Sequence, residues 1–174
     1  MASENHFQLF GLPLRYAVDD AALEQTWRTL AARVHPDRYA TASAVERRVA
    51  MEWASNINEA YRILKSPLNR ARYLCELSGC DIQAESNTSV DSEFLMLQIM
   101  LREQLDEARE QGRPDLLEAL AGEIAQARET MMREMAQLID EQHNFEQASK
   151  KVREWMFVEK LSQEVQASLN DHLY

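Results

Sequence analysis

The chain has 174 residues, 45% of them hydrophobic and 28% charged, with a formal net charge of −10, an ordinary balance for a protein that buries a core. Four glycines and four prolines are too few breakers for a loop-rich or all-β chain, so an all-α fold is expected, and no apolar run approaches the eighteen or so residues of a membrane helix. The charge is uneven: residues 1–76 hold ten Lys/Arg against nine Asp/Glu, and residues 77–174 hold nine against twenty, which suggests two modules and argues against nucleic acid as a partner.

The opening Met-Ala-Ser-Glu-Asn-His lacks a basic region followed by an apolar one, so no secretory signal is read and a cytoplasmic location is expected. A short apolar start (Phe7, Leu9, Phe10, Leu12) ends at Gly11 and Pro13. Asp19 or Asp20 can cap a helix from about Ala21, whose Leu23, Trp27, Leu30 and Val34 form one stripe. Pro36 disfavours helical geometry at His35 and stops that helix. A capping box, Ser43-x-x-Glu46, opens the next helix, with Val45, Val49, Trp53, Ile57, Ala60 and Leu64 as its expected buried face. Ser66-Pro67 restarts a short helix to about Glu76. The two main helices, joined by the 35–43 loop, should pair as an antiparallel hairpin.

Residues 77–90 are polar and read as a linker. Three long helices follow: about Asp91 to Gln111, Pro114 to about Gln142, and, behind an Asn144-x-x-Gln147 box, Asn144 to about Asp171. Short connections favour an antiparallel three-helix bundle over residues 91–174. In the first of these helices Phe94, Leu97, Leu101 and Leu105 share one face, while Leu95, Met96, Ile99 and Met100 point away from it, beside Glu103 and Glu107. In the last, the core stripe is Ala148, Trp155, Val158, Val165 and Leu169, and Phe157 lies off it. A helix apolar on two faces is either fully buried or presents a binding surface. Periodicity alone leaves both open. Gly122 sits mid-helix at a cost of about 1 kcal/mol relative to Ala.

His35-Pro36-Asp37 stands between two amphipathic helices, with Arg28 and Arg33 before it and Arg38 after it. Together with Phe7-x-Leu9-Phe10-Gly11-Leu12-Pro13 and Asn58-x-Ala60-Tyr61-x-x-Leu64, it resembles the J-domain family over residues 5–76. The resemblance implies binding to a DnaK-class chaperone and stimulation of its ATP hydrolysis through His35, Pro36 and Asp37, assisted by Arg28, Arg33 and Arg38. Pro36 fixes the backbone of such a loop, Asp37 offers a carboxylate to a partner arginine, and the arginines can steer an acidic partner. The alternative is a proline turn with Asp37 as a local cap.

The two-part layout resembles the HscB family of iron–sulfur cluster assembly. The matching pieces are Pro67-Leu68-x-Arg70-Ala71-x-Tyr73-Leu74, Phe94-Leu95-Met96, Leu101-Arg102-Glu103-x-Leu105-Asp106-Glu107 and Phe157-Val158-x-Lys160-Leu161. The expected organisation is therefore a J-domain over 1–76, a linker over 77–90 and a scaffold-binding bundle over 91–174. The resemblance implies a co-chaperone that stimulates the chaperone HscA while its bundle binds and delivers the scaffold IscU through Leu95, Met96, Ile99, Met100, Glu103, Glu107 and Phe157. Met100 departs from an often acidic position. No cofactor, catalytic residue or metal site is expected, and a monomer is expected.

Two other readings compete. One is a J-protein serving a different client. The other is a small helical metalloenzyme built on His35 and Asp37, which needs further ligands that His6, His143 and His172 are not spaced to supply. Cys75 and Cys80 lack redox CxxC spacing and cannot fill a zinc site alone.

Overall fold

Most of the helices start where a short polar side chain takes up free backbone N–H groups. In the computed structural model, which describes residues 4–82 and 91–172, Asn5 caps α1 (His6–Leu9) with a reciprocal bond from Gln8. Asp19 accepts from the N–H groups of Ala21 and Ala22 to open α2 (Asp20–Arg33). Ser43 and Glu46 form the expected reciprocal box at the start of α3 (Ala44–Lys65). α4 spans Pro67–Leu77. Asp91 caps α5 (Ser92–Glu110), α6 covers Pro114–Ala136 with proline at its first turn, and α7 runs from Phe145 to Asp171. No strand occurs among the described residues, so the all-α expectation holds.

The chain divides into two units, Met1–Leu77 and Ser78–Tyr174. Of the expected linker, residues 83–90 lie outside the described residues. Its first part associates with the second unit: Ile82 is buried, and its carbonyl accepts a hydrogen bond from Arg153 at 3.4 Å.

In the first unit α2 and α3 pair as the expected hairpin. The Trp27 ring stacks on Tyr61 at 4.7 Å, and its Nε1–H donates to Asn58 at 3.0 Å. Leu23, Ala50, Ile57, Ala60 and Leu64 are buried, joined by Phe7 and Phe10 from the start of the chain and Ala71, Leu74 and Cys75 from α4. Arg70 of α4 is only 4% exposed. Its guanidinium donates to the carbonyls of Tyr16 at 2.6 Å and Leu64 at 2.7 Å, and it lies 4.8 Å from the centre of the Tyr16 ring.

The expected buried face of α3 is correct only for its second half. Val45 is 65% exposed, Val49 43% and Trp53 45%. The cause is axial extent. Trp27 pairs with Asn58 and Tyr61, so an antiparallel α2 that stops at Arg33 reaches little beyond the level of Trp53. The first turns of α3 project past it and stand beside the end of α2 and the loop that follows. A helical wheel records which side a residue is on and not how far the facing helix extends.

The second unit is an up-down-up bundle. Its core holds Leu101, Leu105, Leu117, Leu120, Ile124, Met135, Trp155, Val158, Leu161 and Val165. α5 ends in a Schellman motif: the Arg113 N–H donates to the Ala108 carbonyl and the Gly112 N–H to that of Arg109, both at 3.1 Å, with Gly112 at φ 59°, a value that favours glycine. α6 closes in a π-helical turn over Gln137–Glu141, and His143 follows at φ 50°. Asn144 accepts from the Gln147 N–H, half of the box expected there. Arg128 bridges α6 to α7 through Glu159 at 3.0 Å and Ser162 at 3.0 Å.

Candidate partner-binding surfaces

The first surface is the loop between α2 and α3. Residues Pro36–Tyr39 form one 3₁₀ turn, capped by His35, whose Nδ1 accepts from the Asp37 N–H at 3.3 Å. Proline at the first position of that turn sets its φ and has no N–H to leave unsatisfied. The Tyr39 hydroxyl donates to the Arg33 carbonyl at 3.3 Å and ties the far side of the loop back to the end of α2. The loop is thus held by its own residues. The Asp37 side chain is 92% exposed, and among the described residues its carboxylate pairs only with the His35 imidazole, at 3.5 Å.

Arg28, Arg33 and Arg38 are all exposed. Arg28 is held by Glu24 at 2.6 Å, one helical turn away, whereas no ion pair among the described residues engages Arg33 or Arg38. The positive charge nearest Asp37 is therefore available to solvent. Beside the loop, Val34, Tyr39, Val45, Val49 and Trp53, flanked by Arg33 and Glu46, line an open groove of 430 Å³. Sequence reasoning missed this feature, because it assigned those α3 residues to the core.

The second surface is the outward face of α5. Leu95, Met96, Ile99 and Met100 are exposed, Met96 by 69%, and Glu103 and Glu107 continue the same face as exposed carboxylates. Phe157 differs from the other residues expected there. It is half-buried, with its ring edge-on to Phe94 at 6.0 Å and 89°. It stands at the α5–α7 seam, and part of it faces solvent. Met156, on α7, is also exposed, but at about 100° per residue it is turned well away from Phe157.

The α5–α7 seam is polar farther along. Arg102 grips both carboxylate oxygens of Glu164, at 2.5 and 3.2 Å, and Arg109 donates to the Ser168 hydroxyl at 2.8 Å. The pairs 94–157, 102–164 and 109–168 rise together, so α5 and α7 run parallel. The hydrogen bond from Arg102 holds the Glu164 carboxyl below the usual glutamate range, and Glu164 in turn raises the Arg102 guanidinium.

The chain is similar to known proteins over nearly its whole length. A family profile described as "HSCB C-terminal oligomerisation domain" matches residues 90–166. The Co-chaperone protein HscB homolog of Bordetella pertussis is 59% identical over 168 residues, 97% of this chain and 98% of that one. That of Cupriavidus taiwanensis is 45% identical over 96% of this chain and 94% of its own. Among solved structures, chaperone HscB from Vibrio cholerae superposes with a TM-score of 0.84 at 34% identity, covering 98% of this chain and 100% of that one. Human co-chaperone HscB gives 0.89 at 22% identity over 96% and 83%, a likeness of fold.

Proposed function

The chain belongs to the HscB family of co-chaperones, and from that premise we propose that it stimulates the ATPase of the DnaK-class chaperone HscA while its second unit holds the scaffold IscU. The observation that carries this reading is the pairing of two exposed surfaces of different chemistry on one chain. A carboxylate flanked by arginines stands on a braced loop in the first unit, and an apolar patch with an acidic end lies on α5 in the second.

Asp37 is proposed as a hydrogen-bonding contact for a cationic side chain of the chaperone. Pro36 and the His35 cap hold it in place, and Arg28, Arg33 and Arg38 attract the acidic side of the partner. Leu95, Met96, Ile99 and Met100 would bury against the scaffold, Phe157 would anchor the edge of the patch, and Glu103 and Glu107 would meet basic groups at its rim. Tethering two partners to one chain raises their effective concentration toward each other, so delivery needs no reaction at any residue here. The proposed compartment is the cytoplasm, and the proposed state is a single chain whose α5 face is left for the scaffold. A second copy of the chain is the other candidate occupant of that face, which light scattering at working concentration distinguishes by mass.

The test separates the two halves. Asp37→Ala is expected to abolish stimulation of the chaperone ATPase and leave scaffold affinity and thermal stability as in the wild type. A Leu95→Ala/Phe157→Ala variant is expected to lose scaffold affinity and keep full stimulation, with a modest loss of bundle stability from the broken Phe94–Phe157 contact. Full stimulation by Asp37→Ala refutes the loop assignment, and wild-type scaffold affinity in the double variant refutes the patch.

A further inference from the structure

We propose that Arg102 and Glu164 are positioning residues for the scaffold surface: their ion pair sets the axial register of α5 on α7, and with it the spacing between the Leu95/Ile99 ridge and Phe157. The proposal rests on the scaffold reading above. The surface is composite, with its ridge on α5 and its anchor on α7, so its shape depends on how one helix is seated along the other. A slip of one residue displaces side chains by about 1.5 Å along the axis, more than the roughly 0.5 Å within which a binding constellation must be held.

Three contacts bear on that seating. At the patch, Phe94 meets Phe157 edge-on, an apolar contact that tolerates several offsets. At the far end, Arg109 donates to the Ser168 hydroxyl at 2.8 Å and to the Glu164 carbonyl at 3.4 Å, and Ser168 donates back to that carbonyl at 3.0 Å. Between them, Arg102 makes the two-pronged bond to Glu164. Two parallel N–H···O bonds in a planar fork accept one axial position and lose both bonds elsewhere. Arg102 is also three residues from Ile99 and next to Glu103, so the fork acts from within the stretch of α5 that carries the patch.

The surrounding charges support the pairing. Glu164 faces Arg102, Arg109 and Lys160, and Arg102 faces Glu164 and Asp106. Neutralising Glu164 also leaves the rim acidity of the patch to Glu103 and Glu107.

The experiment is calorimetric titration of the full chain with purified IscU-type scaffold. Glu164→Gln is expected to weaken binding about fivefold, and Arg102→Gln/Glu164→Gln to bind no more than about twofold more weakly than Glu164→Gln alone, because either change breaks the same fork. A readout specific to positioning is the Phe157→Ala penalty, which should shrink in the Glu164→Gln background because a misplaced ring has less to lose. Wild-type affinity in Glu164→Gln, additive losses in the Arg102→Gln/Glu164→Gln pair, or an unchanged Phe157 penalty overturns the proposal. Should Glu164→Gln lose helical circular dichroism, Arg102→Lys takes its place. It keeps the charge without the fork, should bind about twofold to threefold more weakly at full helicity, and refutes positioning if it binds as wild type. Leu95→Ala, run in parallel, separates the two failures. Wild-type binding by Leu95→Ala removes the scaffold reading itself, whereas weak Leu95→Ala beside tight Glu164→Gln removes only the positioning role.

Discussion

Replacing Arg70 by alanine should destabilise the first unit selectively. Arg70 is buried with its charge directed at two main-chain carbonyls, those of Tyr16 and Leu64, and at the Tyr16 ring. Each buried carbonyl deprived of its donor costs about 1–3 kcal/mol. The ring contact adds about 1 kcal/mol, and loss of the packed aliphatic stem adds to both. These contributions add to about 3–7 kcal/mol before the stem, and the measured cost of breaking other buried charged contacts, about 3–5 kcal/mol, sets the expectation in the lower part of that range. A unit of this length has about 4–12 kcal/mol to lose at typical per-residue stabilities. The variant should therefore sit near its unfolding midpoint or a few kcal/mol above it. Urea denaturation followed by tryptophan emission reads this, because Trp27 and Trp53 belong to the first unit and Trp155 to the second. The transition of the first unit should move to lower urea while the second stays in place. Arg70→Lys should fall between, since an ammonium cannot reproduce the fork that bridges both carbonyls. A loss below about 1 kcal/mol in Arg70→Ala would refute the assignment of Arg70 as the bolt between α4, the end of α3 and the segment before α2.

Two further outcomes follow from local geometry. Gly122 lies in mid-helix, exposed, with nothing within 4 Å of an added Cβ, and nothing in the structure explains glycine there, so Gly122→Ala should stabilise the bundle by about 1 kcal/mol in thermal unfolding; destabilisation would show an unrecognised constraint on α6. Burial lowers the pKa of His6, which stacks on Tyr73 at 4.5 Å, with Glu59 acting in the opposite sense. The folded state therefore binds this proton less readily than the unfolded chain, whose histidines titrate near 6.5. That contribution to stability is fully present above about 6.5 and is lost as pH falls through that value toward the folded pKa. Denaturation of the first unit between pH 7.5 and 5 should show the loss, and a His6→Gln variant should flatten it.

Most of the fold was legible because its signals are local. Asp19, the Ser43–Glu46 box, Ser66-Pro67, Pro114 and Asn144 marked helix starts to within a residue or two, and Gly112 marked a helix end that its positive φ accounts for. What failed depends on a second element. Val45, Val49 and Trp53 lie on a stripe continuous with Ile57 and Leu64, and only the length of α2 exposes them. The outward face of α5 could be found by phase, because Leu95, Met96, Ile99 and Met100 fall opposite Leu101 and Leu105. The seating of Phe157 against Phe94 could not, since the parallel register of α5 and α7 is set by pairs sixty residues apart in the chain. Arg102 and Glu164 carry no mark in the sequence that joins them. The loop is different again: His35-Pro36-Asp37 was recognisable by order and context, but its bracing by Tyr39 depends on a hydrogen bond across six residues.

The turn that closes α6 has a meaning for chain length. Over Gln137–Glu141 the backbone takes one residue more per turn than an α-helix. The Gln142 N–H returns to the Gln137 carbonyl and the Asn144 N–H to that of Leu138, while Ile139 remains buried. The extra residue is thus absorbed before α7 begins, and the Trp155, Val158 and Val165 stripe keeps its phase. Removing one residue at this point would re-seat Ile139 and leave the inward faces of α6 and α7 on either side as they are. The bundle thereby has a place to vary in length that lies apart from the patch on α5.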